Sequence, residues 1–77
     1  MRIATERRGD RWLAQVVHIG DALHWTQHIR IRNEMADWVE KNTFHQVDID
    51  AWQFFFHDEQ DLMLFLLRWN GYDTNKG

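Results

Sequence analysis

The sequence predicts a small α+β domain, a mostly antiparallel sheet with two helices packed on it, in the order βββαβα. Turn residues separate clusters of β-branched and aromatic residues over the first thirty positions, which is a strand signature. A helical stripe with capping residues occupies the stretch after position 57, and no proline, low-complexity run or linker interrupts the chain. Strands followed by helices without a strict strand-helix alternation point to α+β architecture.

Arg2 to Arg7 reads as a first strand, Gly9-Asp10 as a turn, and Trp12 to Ile19 as a second strand closed by Gly20-Asp21. From Ala22 to Ile31, Leu23, Trp25, Gln27, Ile29 and Ile31 alternate with His24, Thr26, His28 and Arg30, and this period of two predicts a third strand. Asn33 is the expected N-cap of a short helix over 33–42, with Glu34 and Asp37 in its first turn and Met35, Trp38, Val39 and Asn42 along one stripe. Phe44 to Phe56 is expected to be extended. Its apolar parity changes midway, from Val47, Ile49 and Ala51 to Trp52, Phe54 and Phe56, which calls for a bulge or bend near Asp50-Ala51.

Asp58 is the expected cap of the last helix, with Asp61 at its third position as in a capping box. Leu62, Phe65, Leu66 and Trp69 give the i, i+3, i+4, i+7 face, and Asn70-Gly71 supplies a glycine stop. The domain is predicted to span 1–71, with 72–77 as a flexible polar tail. Met63, Leu64 and Leu67 form a second apolar strip on the same helix. Such a helix is either wedged between layers or covered by another chain.

A chain of 77 residues buries only roughly 60 to 65 % of its unfolded surface, so a small domain needs staples or unusually large apolar side chains. There is no cysteine, and five tryptophans and five phenylalanines are expected to fill the interior instead. Lack of cysteine and of an apolar leader fits a cytoplasmic setting, and the longest apolar run, Leu62 to Leu67, is far too short to span a bilayer. Charge is segregated. Residues 1–32 carry six arginines against Glu6, Asp10 and Asp21, whereas residues 33–61 carry eight acids against Lys41 alone, a balance of −7 within a net charge of −3.

No catalytic motif is present: there is no GxSxG, no phosphate-cradling glycine loop and no cysteine nucleophile. The chain is therefore expected to be no enzyme and to use no cofactor. Five histidines raise a metal reading, but on a strand His24 and His28 would stand about 13 Å apart, and no HExxH frame exists. No metal site is expected; were an ion bound, His24, His28 and Asp48 would be its first ligands. Asp48 and Asp50 share a strand face, and they are expected to be exposed strand acids beside a bulge rather than acid/base or cation-binding equipment. Arg7, Arg8 and Arg11, with Arg30, Arg32 and nearby tryptophans, give a weak nucleic-acid signature, opposed by the negative overall charge.

The run Trp52-Gln53-Phe54-Phe55-Phe56-His57-Asp58-Glu59-Gln60-Asp61-Leu62-Met63-Leu64-Phe65-Leu66-Leu67-Arg68-Trp69 resembles short proteins of tailed phages, marine ones in particular. Those proteins end in an aromatic strand, an acidic turn and an aspartate-led helix finishing Phe-x-Leu-x-Trp. Asp61, Phe65, Leu67 and Trp69 carry the resemblance, and Leu62 stands where the pattern usually has alanine. The resemblance implies a compact phage-encoded protein that acts in the host cytoplasm by binding a host or phage protein. Partner-binding residues are then expected among Met63, Leu64, Leu67, Asp48, Asp50, Arg7, Arg8 and Arg11. The alternatives are a small nucleic-acid-binding module using the basic strands and a homo-oligomeric structural or virion accessory protein, for instance a homodimer.

Overall fold

A computed structural model describes residues 1–20 and 24–72. In chain order the elements are β1 (Arg2–Arg8), β2 (Arg11–His18), α1 (Trp25–Asn42), β3 (Val47–Asp50), β4 (Gln53–Phe56) and α2 (Glu59–Trp69). The α+β class is as the sequence predicts: one four-stranded antiparallel sheet, in the order β1-β2-β4-β3, with two helices. The element order is ββαββα, not βββαβα, and two local readings change with it.

The first correction concerns Ala22 to Ile31. Ala22 and Leu23 lie outside the described residues, and from Trp25 onward the segment is the start of an 18-residue helix. His24 is its N-cap, and the His24 backbone N–H donates to Gln27 Oε1 at 2.9 Å. Asn33 is thus an exposed mid-helix residue. What anchors α1 is Ile31, Met35 and Val39, each four residues apart and buried on one line. Trp25 and Ile29, which produced the alternation, are exposed in the first turns. Glu34 and Asp37 act along the helix rather than on its dipole, pairing with Arg30 at 3.9 Å and Lys41 at 2.9 Å.

The second correction concerns Phe44 to Phe56, which is a β3–β4 hairpin rather than one bent strand. Val47 faces Phe56 and Ile49 faces Phe54 across the pair, so the change of parity brings both apolar sets to the same side of the sheet. Ala51 opens the two-residue turn at φ 51°, a left-handed conformation that costs a residue with a Cβ about 1–2 kcal/mol. The Arg32 side chain braces it, with Nε donating to the Ala51 carbonyl at 2.6 Å. The β1–β2 turn contains Gly9 at φ 63°, a conformation that glycine adopts without strain.

Both helices cover one face of the sheet. Phe65 is the centre of the core, with ring centroids 4.9 Å from Phe54, 5.1 Å from Phe56 and 6.3 Å from Trp38. Ile3, Ala14, Val16, Leu62 and Trp69 complete it with the α1 line. Each such large side chain contributes about 1.5–3 kcal/mol on full burial. The aromatic inventory is only partly interior: Trp69 is buried, Trp12, Trp38 and Trp52 are half-buried, and Trp25 and Phe44 are exposed. On the opposite face no helix among the described residues covers the sheet, yet Leu13 is only 2 % exposed. Its cross-strand neighbours are Glu6 and Phe55, and the Arg11 guanidinium lies 5.1 Å over the Phe55 ring.

The end of α2 is as expected. The Asn70 N–H donates to the Leu66 carbonyl, and Gly71 at φ 85° takes the left-handed position. Tyr72, read as the first tail residue, is instead half-buried, with its ring 5.2 Å from Trp69. Its carbonyl accepts from the Met1 amino group at 2.7 Å, and Ile3 N–H donates to Asn70 Oδ1 at 3.1 Å. The remainder of the expected tail, 73–77, lies outside the described residues. No helix among those residues is long and apolar enough to cross a membrane.

Candidate functional site

Successive helical residues are rotated by about 100°. On α2, with Leu62, Phe65 and Trp69 turned to the sheet, Met63, Leu64 and Leu67 fall on the far side. They are 54 %, 39 % and 82 % exposed. The alternative of a helix wedged between two layers of this chain does not hold: the strip faces outward, uncovered among the described residues. Gln60 shares that side of the helix and is also exposed.

The expected charged residues are distributed differently. Asp48, on β3, lies 3.1 Å from His57 Nε2 and 3.7 Å from Arg11, and its Oδ1 accepts from Gln46 Nε2 at 3.1 Å. The His57 hydrogen bond, above all, holds the Asp48 carboxyl below the usual aspartate range, against a partial desolvation that raises it. Asp50 lies two residues on, at the exposed end of β3. Arg8 pairs with Glu6 at 3.1 Å, and Arg7 stacks 4.7 Å over Trp12 while its Nε donates to the Gly9 carbonyl. Arg8, Arg11 and Arg30 thus each sit beside an acid, a poor basis for a continuous phosphate-binding surface.

His24 caps α1 and His28 lies in its first turn, and neither converges with Asp48. Among the described residues the ligating atoms of one group alone converge, those of His45, Asp58 and Asp61. His45 Nδ1 lies 3.4 Å from Asp61 Oδ2 and 3.7 Å from Asp58 Oδ2. Asp61 is wholly buried, and its carboxylate accepts the backbone N–H of Phe44 at 3.1 Å and of His45 at 3.0 Å. It therefore clamps the 43–46 loop to α2, and the capping-box reading of Asp61 is corrected. Asp58 does occupy the N-cap position, but its side chain makes no capping hydrogen bond. Each Asp61 oxygen thus accepts one backbone N–H, which gives the buried carboxylate a partner on both sides.

One feature lies outside the predicted residues. Between the C-terminal half of α1 and the edge strand β3 runs an open groove of about 470 Å³. Val39, Val47 and Ile49 give it an apolar floor, Asp37 and Glu40 line its helix side, and Phe44 stands at its end, 83 % exposed. The acidic balance of residues 33–61 was its sequence signal. The groove itself depends on α1 lying beside β3, which a β-strand reading of 22–31 obscures.

No family model matches the chain, and no curated protein and no solved structure matches it significantly.

Proposed function

We propose that this chain is a small non-enzymatic protein-binding module, a phage-encoded modulator acting in the host cytoplasm on a host or phage protein. The observation that carries the reading is the outward apolar strip of α2. Burying Met63, Leu64 and Leu67 against a partner removes apolar surface from water at about 25 cal/mol per Å², while the opposite side of the helix is already committed to the core. The resemblance of residues 52–69 to short tailed-phage proteins supplies the biological setting. Interlacing of arginines with acids favours protein over nucleic acid as the partner.

The test compares affinity capture by the tagged chain with capture by the Met63→Gln, Leu64→Gln, Leu67→Gln triple variant. A protein recovered with the first and lost with the second, at unchanged melting temperature, supports the reading. Identical recoveries from the two chains overturn it. Light scattering on the same pair identifies a second copy as the occupant if a dimer becomes a monomer.

A further inference from the structure

The edge strand β3 offers a second surface of different chemistry. The Val16 N–H donates to the Trp52 carbonyl at 3.0 Å, so Trp52 is turned toward β2. Backbone polar groups alternate along an antiparallel strand, which turns Gln53 and Phe55 toward β3 and makes Asp50 and Asp48 their hydrogen-bonded partners. Val47 and Ile49 then direct their N–H and C=O groups away from β4, out of the sheet edge. The side chains of the same two residues floor the 470 Å³ groove. Backbone donors, backbone acceptors and an apolar trough thus lie side by side along one edge.

We propose that this edge binds an extended peptide segment of a partner by strand addition, and that the segment alternates apolar and basic residues. Alternation follows from the pleat. Every second side chain of an added strand enters the groove over Val39, Val47 and Ile49 toward Phe44. The intervening side chains fall on the open face of the sheet beside Asp48 and Asp50. Asp48 already has His57 and Arg11 as neighbours, whereas Asp50 is exposed and makes no ion pair among the described residues. Lysine or arginine next to these acids gains Coulomb energy; glutamate there is repelled.

A second copy of this chain fits less well. Pairing β3 with β3 opposes aspartates. Pairing β3 with the basic β1 edge drives Thr5 and Arg7, which share the sheet side of Ile3, into the apolar trough. Charge and pattern together therefore select a separate, cationic segment.

The experiment uses a fluorescent peptide of about eight alternating valines and lysines, with valine-glutamate and scrambled valine-lysine peptides as controls. Fluorescence polarisation is expected to give the valine-lysine peptide about tenfold tighter binding than either control, weakening as salt rises. The Asp50→Lys variant changes one exposed residue and is expected to lose the preference for the valine-lysine peptide. Hydrogen exchange at the Val47 and Ile49 amides is expected to slow by about tenfold when peptide is bound. The Met63→Gln, Leu64→Gln, Leu67→Gln variant retains peptide binding, which separates this surface from the α2 strip. Equal affinity for the peptides, an unaltered preference after charge reversal, or unprotected Val47 and Ile49 amides overturns the proposal. Assembly of the chain alone that peptide does not disperse also overturns it, in favour of a second copy at the edge.

Discussion

The two helices lie on the same sheet face and solve their outer sides in opposite ways. α1 buries a single line, Ile31, Met35 and Val39, and much of its exposed side is charged, with Arg30–Glu34 and Asp37–Lys41 pairs one turn apart. α2, at 11 residues, buries Leu62, Phe65 and Trp69 yet leaves Met63, Leu64 and Leu67 in water. The outer half of α1 demonstrates that this architecture accepts a charged exterior. The apolar exterior of α2 is therefore no requirement of packing, and a role in association accounts for it.

If that contrast is right, substitutions on the two sides of α2 differ sharply. Phe65→Ala, at the junction of Phe54, Phe56 and Trp38, is expected to cost about 3–5 kcal/mol in denaturant unfolding, the largest of these effects. Asp61→Ala, still on α2 but facing the 43–46 loop, leaves the Phe44 and His45 amides without their acceptors and is expected to cost about 2–3 kcal/mol. By contrast, Met63→Gln and Leu67→Gln are expected to stay within about 0.5 kcal/mol of the parent. A larger loss at those two positions means that the strip supports the fold, and the comparison with α1 fails.

Two smaller effects sharpen the picture around β3. Ala51→Gly relieves the left-handed turn and is expected to raise stability by about 0.5–1 kcal/mol, read as a higher denaturant midpoint. For Asp48, the folded-state pKa lies below the ordinary 3.8, chiefly through His57. Its stabilising contribution is therefore complete above that ordinary value and is lost as pH falls through the lower folded-state value. Asp48→Asn is expected to lower stability slightly at neutral pH, to change little at pH below this window, and so to flatten this part of the acid-unfolding profile. A carboxyl titrating at its ordinary position in NMR contradicts the His57 contact.

Residues with local signals were legible in sequence. Gly9 marks the β1–β2 turn and Gly71 the end of α2, and the spacing of Leu62, Phe65 and Trp69 identifies the face of α2 that meets the sheet. Where two periods coincide, the reading failed. Trp25, Ile29 and Ile31 fit an alternation of two, but Ile31, Met35 and Val39 carry the period that tertiary burial selects. Parity across Ala51 was visible, yet it belongs to a hairpin with a left-handed non-glycine residue, a conformation whose usual turn residues are absent there. The strip at Met63, Leu64 and Leu67 was readable from its helical spacing, but whether it lay between layers or faced outward was not, because helix periodicity does not say how many layers pack on it. The groove was not readable, since it depends on how α1 packs beside β3, and neither was the Asp61 clamp, whose partners lie 16 and 17 residues away.

The Asp61 clamp also has a kinetic consequence. A carboxylate with no access to solvent is tolerable only while the amides of Phe44 and His45 remain bound to it, so the loop and α2 must come apart together. The segment from Thr43 to Gln46 has no regular secondary structure of its own to protect it. Even so, its two bonded amides should exchange with deuterium at the pace of the helix rather than of a free loop, making them reporters of a single cooperative opening unit.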